Sequence, residues 1–283
     1  MDGVSSELME RHGELLGRLL PGGPTGVREG QFHTVVVGAA VVVCFARTEA
    51  AAARLPMRAA VLRTVGRLDL GVAVPEVLGG NGVGDDAAYL VLSRIPGEPL
   101  ESSALRDPEL AEIVAGQCRA VLQRLAAAGA DPAVRAELPV VAADRWREFA
   151  DDVRAELYSL MSADGRRRAE RELAALDGLP HRTDAVVHGD LGGENLLWEF
   201  DRGRPVLRGV IDWDGVCLGD PAEDYAALVA AYGAGSSRLL HGDDDDIAAR
   251  IAIIQGTFAL QQALDAHRDG DADELADGLA GYR

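Results

Sequence analysis

The stretch that decides the fold spans residues 186–226 and reads VVHGDLGGENLLWEFDRGRPVLRGVIDWDGVCLGDPAEDYA. Its short apolar runs stop abruptly at polar residues: 186–187 ends before HGD, and 210–211 runs straight into Asp212. Short runs rich in β-branched residues predict buried strands, and the polar residues that follow them predict turns. The stretch therefore predicts core strands whose ends carry a site.

Three polar side chains of this stretch have the spacing of a phosphoryl-transfer site. Asn195 follows Asp190 by five residues, and Asp212 comes after a further hairpin. In this chemistry one carboxylate accepts the proton of the attacking hydroxyl, while an amide oxygen and a second carboxylate hold Mg²⁺ on the nucleotide phosphates. We therefore predict Asp190 as the catalytic base and Asn195 and Asp212 as metal ligands. Each Asp alone would more often be a turn or cap residue, so the prediction depends on the three together.

Two motifs resemble the catalytic segment of the aminoglycoside phosphotransferase family, HGDLGGEN at 188–195 and IDWD at 211–214, and the resemblance continues in GDPAED at 219–224. The spacing is also that of the protein-kinase catalytic loop and its later Asp. The resemblance implies an α+β, protein-kinase-like two-lobe fold. We expect a small β-rich N-lobe at 1–94, a larger helical C-lobe at 95–283 and a cleft between them.

Three further residues of the segment are predicted to have structural roles. His188 lies two residues before the base, where a side chain more often bonds the loop than reacts. Asp220 precedes Pro221, the pattern of a helix N-cap followed by proline at the first helical position. Asp224 is assigned a structural role as well.

The resemblance implies bound ATP or GTP with Mg²⁺ and assigns the nucleotide contacts to the N-lobe. Gly30 lies in EGQFH, ahead of a predicted hairpin, where the family has its nucleotide-covering loop. The adenine edge would be met by backbone groups at Ser93, Arg94 and Ile95. These four residues are therefore predicted nucleotide contacts.

The cation that grips the phosphates in the family is missing from this chain. Cys44 occupies its strand position, and the Glu that pairs with it is matched by Arg58. A charge-assisted hydrogen bond contributes about 1.5–3 kcal/mol, so its loss predicts weaker nucleotide binding unless another cation substitutes. Arg58 and Arg47 are the candidates, and Arg58 is preferred because strand alternation puts residue 47 on the face opposite residue 44. The alternative is that both are surface arginines.

Segments across nearly the whole chain look very similar to the subgroup of this family that phosphorylates capreomycin and viomycin, among them VVCFART at 42–48 and DGLAGYR at 277–283. That resemblance implies transfer of phosphate to a hydroxyl of a strongly basic cyclic-peptide antibiotic. The helix predicted at 144–161 has an acidic face, and a run of charges is most often a solvated face. In the family, however, helices from this part of the chain surround the acceptor. The predicted contacts of the cationic acceptor are acidic: Asp214, Glu148, Asp151 and Asp152.

Two other functions stay open. One is a kinase of the same fold that acts on an aminoglycoside or on a metabolite such as choline or homoserine. The other is a non-catalytic module that sequesters the basic drug, which the missing phosphate-binding cation suggests.

The charge of the chain excludes several classes of function. The net charge is −18, from 46 acidic and 28 basic residues, and every basic residue is Arg. Without lysine the chain cannot have a Walker phosphate loop or form a Schiff base. A surface this acidic would repel nucleic acid and attract cationic ligands. High-GC coding, with acidity serving only solubility, would give the same composition.

Cysteine usage and hydropathy predict the compartment. Cys44, Cys118 and Cys217 are widely spaced in apolar surroundings, which predicts reduced thiols and neither disulfides nor a zinc site. No stretch resembles a signal peptide or a membrane span, because the apolar run at 35–45 is too short. We therefore expect a cytoplasmic monomer that binds neither membrane nor nucleic acid.

The rest of the pattern predicts regular elements. A hairpin and a polar turn are expected in the N-lobe, and long helices in the C-lobe. The predicted ranges are 32–37 and 41–45 for the hairpin, 79–86 for the turn, and 107–129, 144–161 and 247–267 for three helices. Gly129 is the predicted stop of the first helix, and the run of four Asp at 243–246 is the predicted cap of the last.

Overall fold

The computed structural model of the protein describes residues 3–30, 32–81 and 87–283, with side chains described from residue 10 onward. Most of the predicted polar turn at 79–86 therefore lies outside the described residues. Within them, the strands are β1 (Gly26–Glu29), β2 (His33–Val37), β3 (Val41–Ala46), β4 (Val77–Gly80), β5 (Tyr89–Ser93), β6 (Ala185–Val187), β7 (Leu196–Asp201), β8 (Arg204–Val210) and β9 (Cys217–Gly219). The helices are α1 (Gly3–Leu19), α2 (Glu49–Val65), α3 (Pro108–Ala128), α4 (Pro132–Glu137), α5 (Arg145–Asp152), α6 (Ala163–Asp177), α7 (Ala222–Tyr232), α8 (Ser237–His241), α9 (Asp245–Gln255), α10 (Phe258–Asp269) and α11 (Ala272–Gly278).

Contacts divide the chain into two compact units. The first unit is Met1–Leu100 with Glu194–Asp214, and the second unit is Glu101–Gly193 with Gly215–Arg283. This grouping differs from the predicted lobes, 1–94 and 95–283, because the first unit also takes in the segment up to Leu100 and the β7–β8 hairpin. The lobe boundary near Arg94 stays a prediction.

The β7–β8 hairpin belongs to the first unit through backbone pairing at two points. Trp198 of β7 and Glu98 exchange hydrogen bonds of 2.8 and 3.0 Å. On β8, the amide of Ala73 donates to Arg208 (2.9 Å) and its carbonyl accepts from Val210 (3.0 Å). The hairpin, with the predicted metal ligands next to its ends, is thereby fixed in the first unit.

The first unit is built on an antiparallel sheet with the strand order β1-β2-β3-β5-β4. The predicted hairpin is β2–β3, in which Val36 lies opposite Val43. Both valines are buried in one cluster with Leu16 of α1 and with Leu20, so α1 covers part of this sheet. Helix α2 begins after Thr48, whose hydroxyl caps it by accepting a hydrogen bond from the Ala51 amide (3.1 Å).

The second unit is mostly helical, and its described residues include the following two buried clusters. One joins α5, α6, α10 and the C-terminal residues, and it includes Leu157, Leu173, Leu264 and Tyr282. The other joins α6, α7 and α9, and it includes Leu176, Ala226 and Ile251. Strands β6 and β9 pair antiparallel, with Val186 opposite Leu218 and both buried. This pair leads directly into the turn that carries Asp190.

Helix α3 follows the prediction, but its terminal glycine has a different role. Asp107 caps the helix by accepting a hydrogen bond from the Glu109 amide (2.9 Å). Gly129 has a right-handed φ of −63°, so it is not a left-handed stop residue. A Cβ at Gly129 would overlap the backbone of Asp184 and Ala185. The glycine is therefore needed for the close approach of α3 to β6.

Two helices predicted as continuous are interrupted. Residues 144–161 form α5, a π-helical turn at Val153–Leu157 and a 3₁₀ turn at Tyr158–Leu160. Residues 247–267 divide between α9 and α10, where the Thr257 hydroxyl donates to the Ile254 carbonyl (2.8 Å). A hydroxyl that bonds the nearby backbone competes with the helical hydrogen bonds.

The state of the cysteines and the character of the helices bear on the predictions of reduced thiols and of no membrane span. Cys44 and Cys118 are buried, Cys217 is half-buried, and all three are free thiols. In the described part of the chain, no helix combines the length and the apolar character needed to cross a bilayer.

We expect Gly165→Ala to destabilise the protein. Gly165 lies in the first turn of α6, and a Cβ there would overlap the backbone carbonyl of Tyr282. Because the obstacle is backbone, the cost should be about 1–3 kcal/mol in the free energy of unfolding, measured by urea denaturation. Gly116→Ala in α3 is the control, because a Cβ there meets open space and should stabilise the helix. Equal effects of the two substitutions would contradict the packing of the C-terminal segment on α6.

Candidate active site

In the second unit, the turn after β6 is held by a buried carboxylate. Asp224 of α7 accepts hydrogen bonds from the backbone amides of His188 (2.7 Å) and Gly189 (3.0 Å). The His188 side chain is fully buried, and its Nδ1 accepts a hydrogen bond from the Asp190 amide (3.2 Å). The backbone on the N-terminal side of Asp190 is therefore fixed, while Asp190 itself is exposed.

The charge of Asp224 is set by two opposing effects. Burial raises the pKa of this carboxyl to about 7, and the two backbone amides that it accepts from pull the pKa down. The neighbouring carboxylates of Glu223 and Asp190 add to the rise. Sequence reasoning gave Asp224 a structural role, and the structure shows which backbone it holds.

Asp220 and Arg250 form a buried ion pair beside this turn. The Asp220 carboxylate also accepts a hydrogen bond from the Ala222 amide (2.9 Å) at the start of α7, but the N-cap position is occupied by Pro221, one residue later than the sequence predicts. Arg250 extends the pair to Asp246, with 3.1 Å between Nε and Oδ2. The pair connects the start of α7 to α9.

In the first unit, Asn195 and Asp212 flank the same end of the β7–β8 hairpin. Leu196 pairs with Val210, and just beyond them the Ile211 amide donates to the Asn195 carbonyl (3.0 Å). Asp212 adopts a left-handed φ of +63°, a conformation that costs energy for a residue with a side chain and that recurs at functional sites. One amide oxygen and one carboxylate are hard oxygen donors, and Mg²⁺ prefers such ligands. The donor set at this hairpin end therefore fits the predicted metal.

Four side chains of the first unit cluster around the place of the missing cation, and we call them the cation cluster: His33, Cys44, Arg58 and Asp214. Arg58 Nε lies 2.6 Å from Asp214 Oδ1, and His33 Nδ1 lies 4.0 Å from Asp214 Oδ2. Burial raises the pKa of the Cys44 thiol, and the nearby Arg58 guanidinium offsets part of that rise. Burial, with the same guanidinium, lowers the pKa of His33 to about 4, so the imidazole is neutral at neutral pH.

The two candidate arginines differ sharply in their surroundings. The Arg58 side chain is 14% exposed, whereas Arg47 is 41% exposed and donates a hydrogen bond to the Gly30 carbonyl (2.7 Å). Arg47 also lies 4.0 Å from Glu29. Arg47 therefore ties the end of β3 to the segment that contains Gly30, and Arg58 belongs to the cation cluster.

Two of the three predicted adenine contacts have backbone amides that are already in use. The Ser93 amide donates to Glu76 (2.9 Å), and the Arg94 amide donates to Ala40 (2.9 Å). The Ile95 amide has no hydrogen-bond partner among the described residues. Of the three residues, Ile95 is therefore the one whose backbone amide is left to donate to the adenine edge.

The acidic residues predicted to meet the acceptor mostly have arginine partners. Asp151 pairs with Arg154 (3.1 Å), and Asp152 pairs with Arg268 of α10 (2.6 Å). Asp214 is engaged by Arg58 in the same way. Of the predicted acidic contacts, Glu148 is exposed and has no ion-pair partner among the described residues. The structure thus leaves Glu148 as the candidate whose charge is not neutralised by an arginine.

A pocket in the second unit was not anticipated from the sequence. It is lined in part by Trp146, Arg145 and Glu223. The Arg145 guanidinium lies 4.0 Å from the centre of the Trp146 ring and also pairs with Glu223. Burial raises the pKa of Glu223, and the pairing with Arg145 offsets part of that rise. Sequence periodicity assigned Trp146 to the core; the available signal was the adjacent Arg145, which can fold back over the ring.

The chain belongs to the phosphotransferase enzyme (APH) family, whose model matches residues 25–269. It is therefore an enzyme that transfers phosphoryl groups, and the family prediction is confirmed. Viomycin phosphotransferase of Streptomyces vinaceus is 59% identical over 285 residues, which cover 98% of this chain and 99% of the relative.

Solved structures show the same fold. An aminoglycoside phosphotransferase, APH(2″)-IIIa in complex with GDP and kanamycin, superposes with a TM-score of 0.78 at 18% identity, covering 98% of this chain and 96% of that chain. ADP-bound APH(2″)-Ib gives a TM-score of 0.70 at 16% identity, covering 95% and 94%. A type I macrolide 2′-phosphotransferase gives 0.66 at 24% identity, covering 100% and 98%. The predicted α+β, protein-kinase-like fold class is confirmed.

Proposed function

We propose that this enzyme inactivates a tuberactinomycin antibiotic, a basic cyclic peptide such as viomycin or capreomycin, by phosphorylating one of its hydroxyls. The observation that carries the proposal is the viomycin phosphotransferase that is 59% identical over nearly the full length of both chains. The net charge of −18 supports a cationic acceptor, because an acidic surface raises the local concentration of cations. The proposed donor is ATP or GTP.

The residues of the second unit supply the acid–base chemistry in this proposal. Asp190 accepts the proton of the attacking hydroxyl and orients its oxygen for in-line attack on the γ-phosphoryl group. Asp224 and His188 hold the backbone beside Asp190 through the hydrogen bonds described above, so that the turn that carries the carboxylate is fixed. Asp220 supports the start of α7, which carries Asp224.

The residues of the first unit hold the nucleotide in this proposal. Asn195 and Asp212 would bind Mg²⁺, which when bound neutralises charge on the phosphates. Arg58 is the proposed phosphate-binding cation, because it is buried in the cation cluster while Arg47 is committed to Gly30. The Ile95 amide is the proposed donor to the adenine edge.

For the acceptor, Glu148 is the proposed contact among the predicted acidic residues, because it is exposed and has no arginine partner in the described part of the chain. Asp151 and Asp152 are instead engaged in ion pairs with Arg154 and Arg268. We propose that the enzyme works as a monomer in the cytoplasm, without nucleic acid or membrane.

The decisive experiment is mass spectrometry of candidate acceptors after incubation with enzyme, Mg²⁺ and ATP, repeated with GTP. We expect viomycin or capreomycin to gain the mass of one phosphoryl group, and kanamycin, choline and homoserine to remain unmodified. Phosphorylation of kanamycin or of a metabolite in place of the peptides would overturn the proposed acceptor.

Mass spectrometry together with a drug-protection test in bacteria separates catalysis from sequestration of the drug. Asp190→Ala should abolish both phosphorylation of the peptide and protection of bacteria from it. Protection that survives Asp190→Ala, with no phosphate on the drug, would favour a binding module over an enzyme acting on this drug.

A further inference from the structure

Two nitrogen atoms of the cation cluster are buried without a hydrogen-bond partner among the described residues, His33 Nε2 and Arg58 Nη1. A third buried nitrogen, Arg58 Nε, lies 2.6 Å from Asp214 Oδ1 and is engaged by that carboxylate. Buried polar atoms in native proteins nearly always have partners. Buried nitrogen atoms without hydrogen-bond partners in two neighbouring side chains indicate a ligand that accepts hydrogen bonds.

The position of these atoms identifies the chemistry of the ligand. His33 begins β2, next to the segment at 29–30. Arg58 lies on α2 and is close to Cys44, which occupies the position on β3 where the family has its phosphate-binding cation. Asp212, a predicted metal ligand, is close enough to act electrostatically on His33 and Cys44. A guanidinium, and a neutral imidazole that carries its proton on Nε2, are donors that suit the oxygens of a phosphate chain.

Asp214 has a position that suits a supporting residue. It lies two residues after Asp212, forms the ion pair with Arg58, and faces His33 across 4.0 Å. Its carboxylate is therefore placed to orient Arg58 and to balance its charge. An acidic residue committed in this way is poorly placed to serve as an acceptor contact.

We propose that Arg58 and His33 together bind the phosphate chain of the nucleotide, and that Asp214 is the positioning residue that holds Arg58 for this purpose. The inference rests on the proposed nucleotide-dependent function and deepens it. In this arrangement the cation comes from a helix and its carboxylate partner from the segment after β8, and the pair takes the place of the cation that the family has at the β3 position of Cys44. Asp214 is thereby reassigned from the acceptor to the nucleotide.

The test is the dissociation constant of ATP with Mg²⁺, measured by calorimetry without acceptor, so that it reads binding and not turnover. Arg58→Met should raise the dissociation constant about 10–100-fold, the loss expected for a charge-assisted hydrogen bond. His33→Phe should raise it about 2–10-fold, and His33→Gln, which keeps a donor, should restore part of the affinity. Asp214→Asn should weaken binding in the wild type but add little in the Arg58→Met background.

Thermal unfolding without nucleotide distinguishes a binding role from a structural one. His33→Phe removes an unsatisfied buried nitrogen, so its melting temperature should stay the same or rise while its affinity for ATP falls. Arg63→Met is the matched control, because Arg63 is exposed near the end of the same helix as Arg58 and should leave the dissociation constant unchanged.

Several results would overturn the inference. Unchanged ATP affinity in Arg58→Met and His33→Phe would do so, as would a larger loss in Arg47→Met than in Arg58→Met. If Arg58→Met fails to fold, His33→Phe and Asp214→Asn decide by the same measurement. The proposed function fails separately, when wild-type enzyme binds ATP tightly but phosphorylates neither viomycin nor capreomycin.

Discussion

Asp190→Asn is expected to lower kcat for phosphorylation of the peptide acceptor by about 10²–10⁴-fold, the usual contribution of a positioned general base. The amide has the size of the carboxylate but cannot take the proton of the attacking hydroxyl. Because Asp190 is exposed at the end of a turn held by Asp224, the substitution should leave the fold intact. Steady-state kinetics with product detection by mass spectrometry measures the loss.

The control for this substitution is Asp201→Asn at the exposed end of β7, which removes the same charge away from the predicted site. It should retain wild-type kcat. The dissociation constant of ATP should also stay near the wild-type value in Asp190→Asn, because the base is predicted to contact the acceptor. A variant at Asp190 that turns over at a near-normal rate would remove this residue from the chemistry.

Arg250→Met is expected to lower the free energy of unfolding by about 3–5 kcal/mol, because it leaves the Asp220 carboxylate buried without its cation. Both partners are almost fully buried, with Arg250 6% and Asp220 8% exposed. The remaining hydrogen bond from the Ala222 amide offsets only part of the desolvation of a charged carboxylate. Urea denaturation monitored by circular dichroism gives the difference.

Two comparisons make this result specific to the buried pair. Adding Asp220→Asn to Arg250→Met should recover part of the lost stability, because the uncompensated charge is gone. Arg238→Met breaks the exposed pair with Asp243, in which both side chains are 81% exposed, and should cost less than about 1 kcal/mol. A double variant less stable than Arg250→Met would show that the cost does not come from the stranded carboxylate.

The local signals in the sequence were sufficient for the elements that begin and end with their own capping residues. Asp107 caps α3, and Asp244, within the run of four Asp, caps α9 by accepting from the Asp246 and Ile247 amides (both 3.1 Å). The fold class followed from the motifs around Asp190 and Asp212, which are continuous in sequence. In each case the determining residues are close along the chain.

The features that the sequence could not predict are those that distant residues decide. Hydrophobic periodicity continues through the π-helical turn at Val153–Leu157, so the end of α5 at Asp152 could not be predicted. The pairing of Asp152 with Arg268 could not be predicted, because Arg268 comes from α10 and leaves no local trace. His33 ends the EGQFH segment where the family has its nucleotide-covering loop, but its burial and its neighbours could not be predicted, because they depend on α2 folding over β2 and β3.

The absence of lysine next to a buried cysteine has a practical consequence for chemical proteomics. Activity probes that label kinases by acylating an active-site amine have no such target in this chain, since every basic residue is Arg. Cys44 does not offer a substitute handle, because the thiol is 3% exposed and burial raises its pKa, which keeps the nucleophilic thiolate scarce. Surveys that depend on such reagents would therefore overlook this enzyme even where it is abundant.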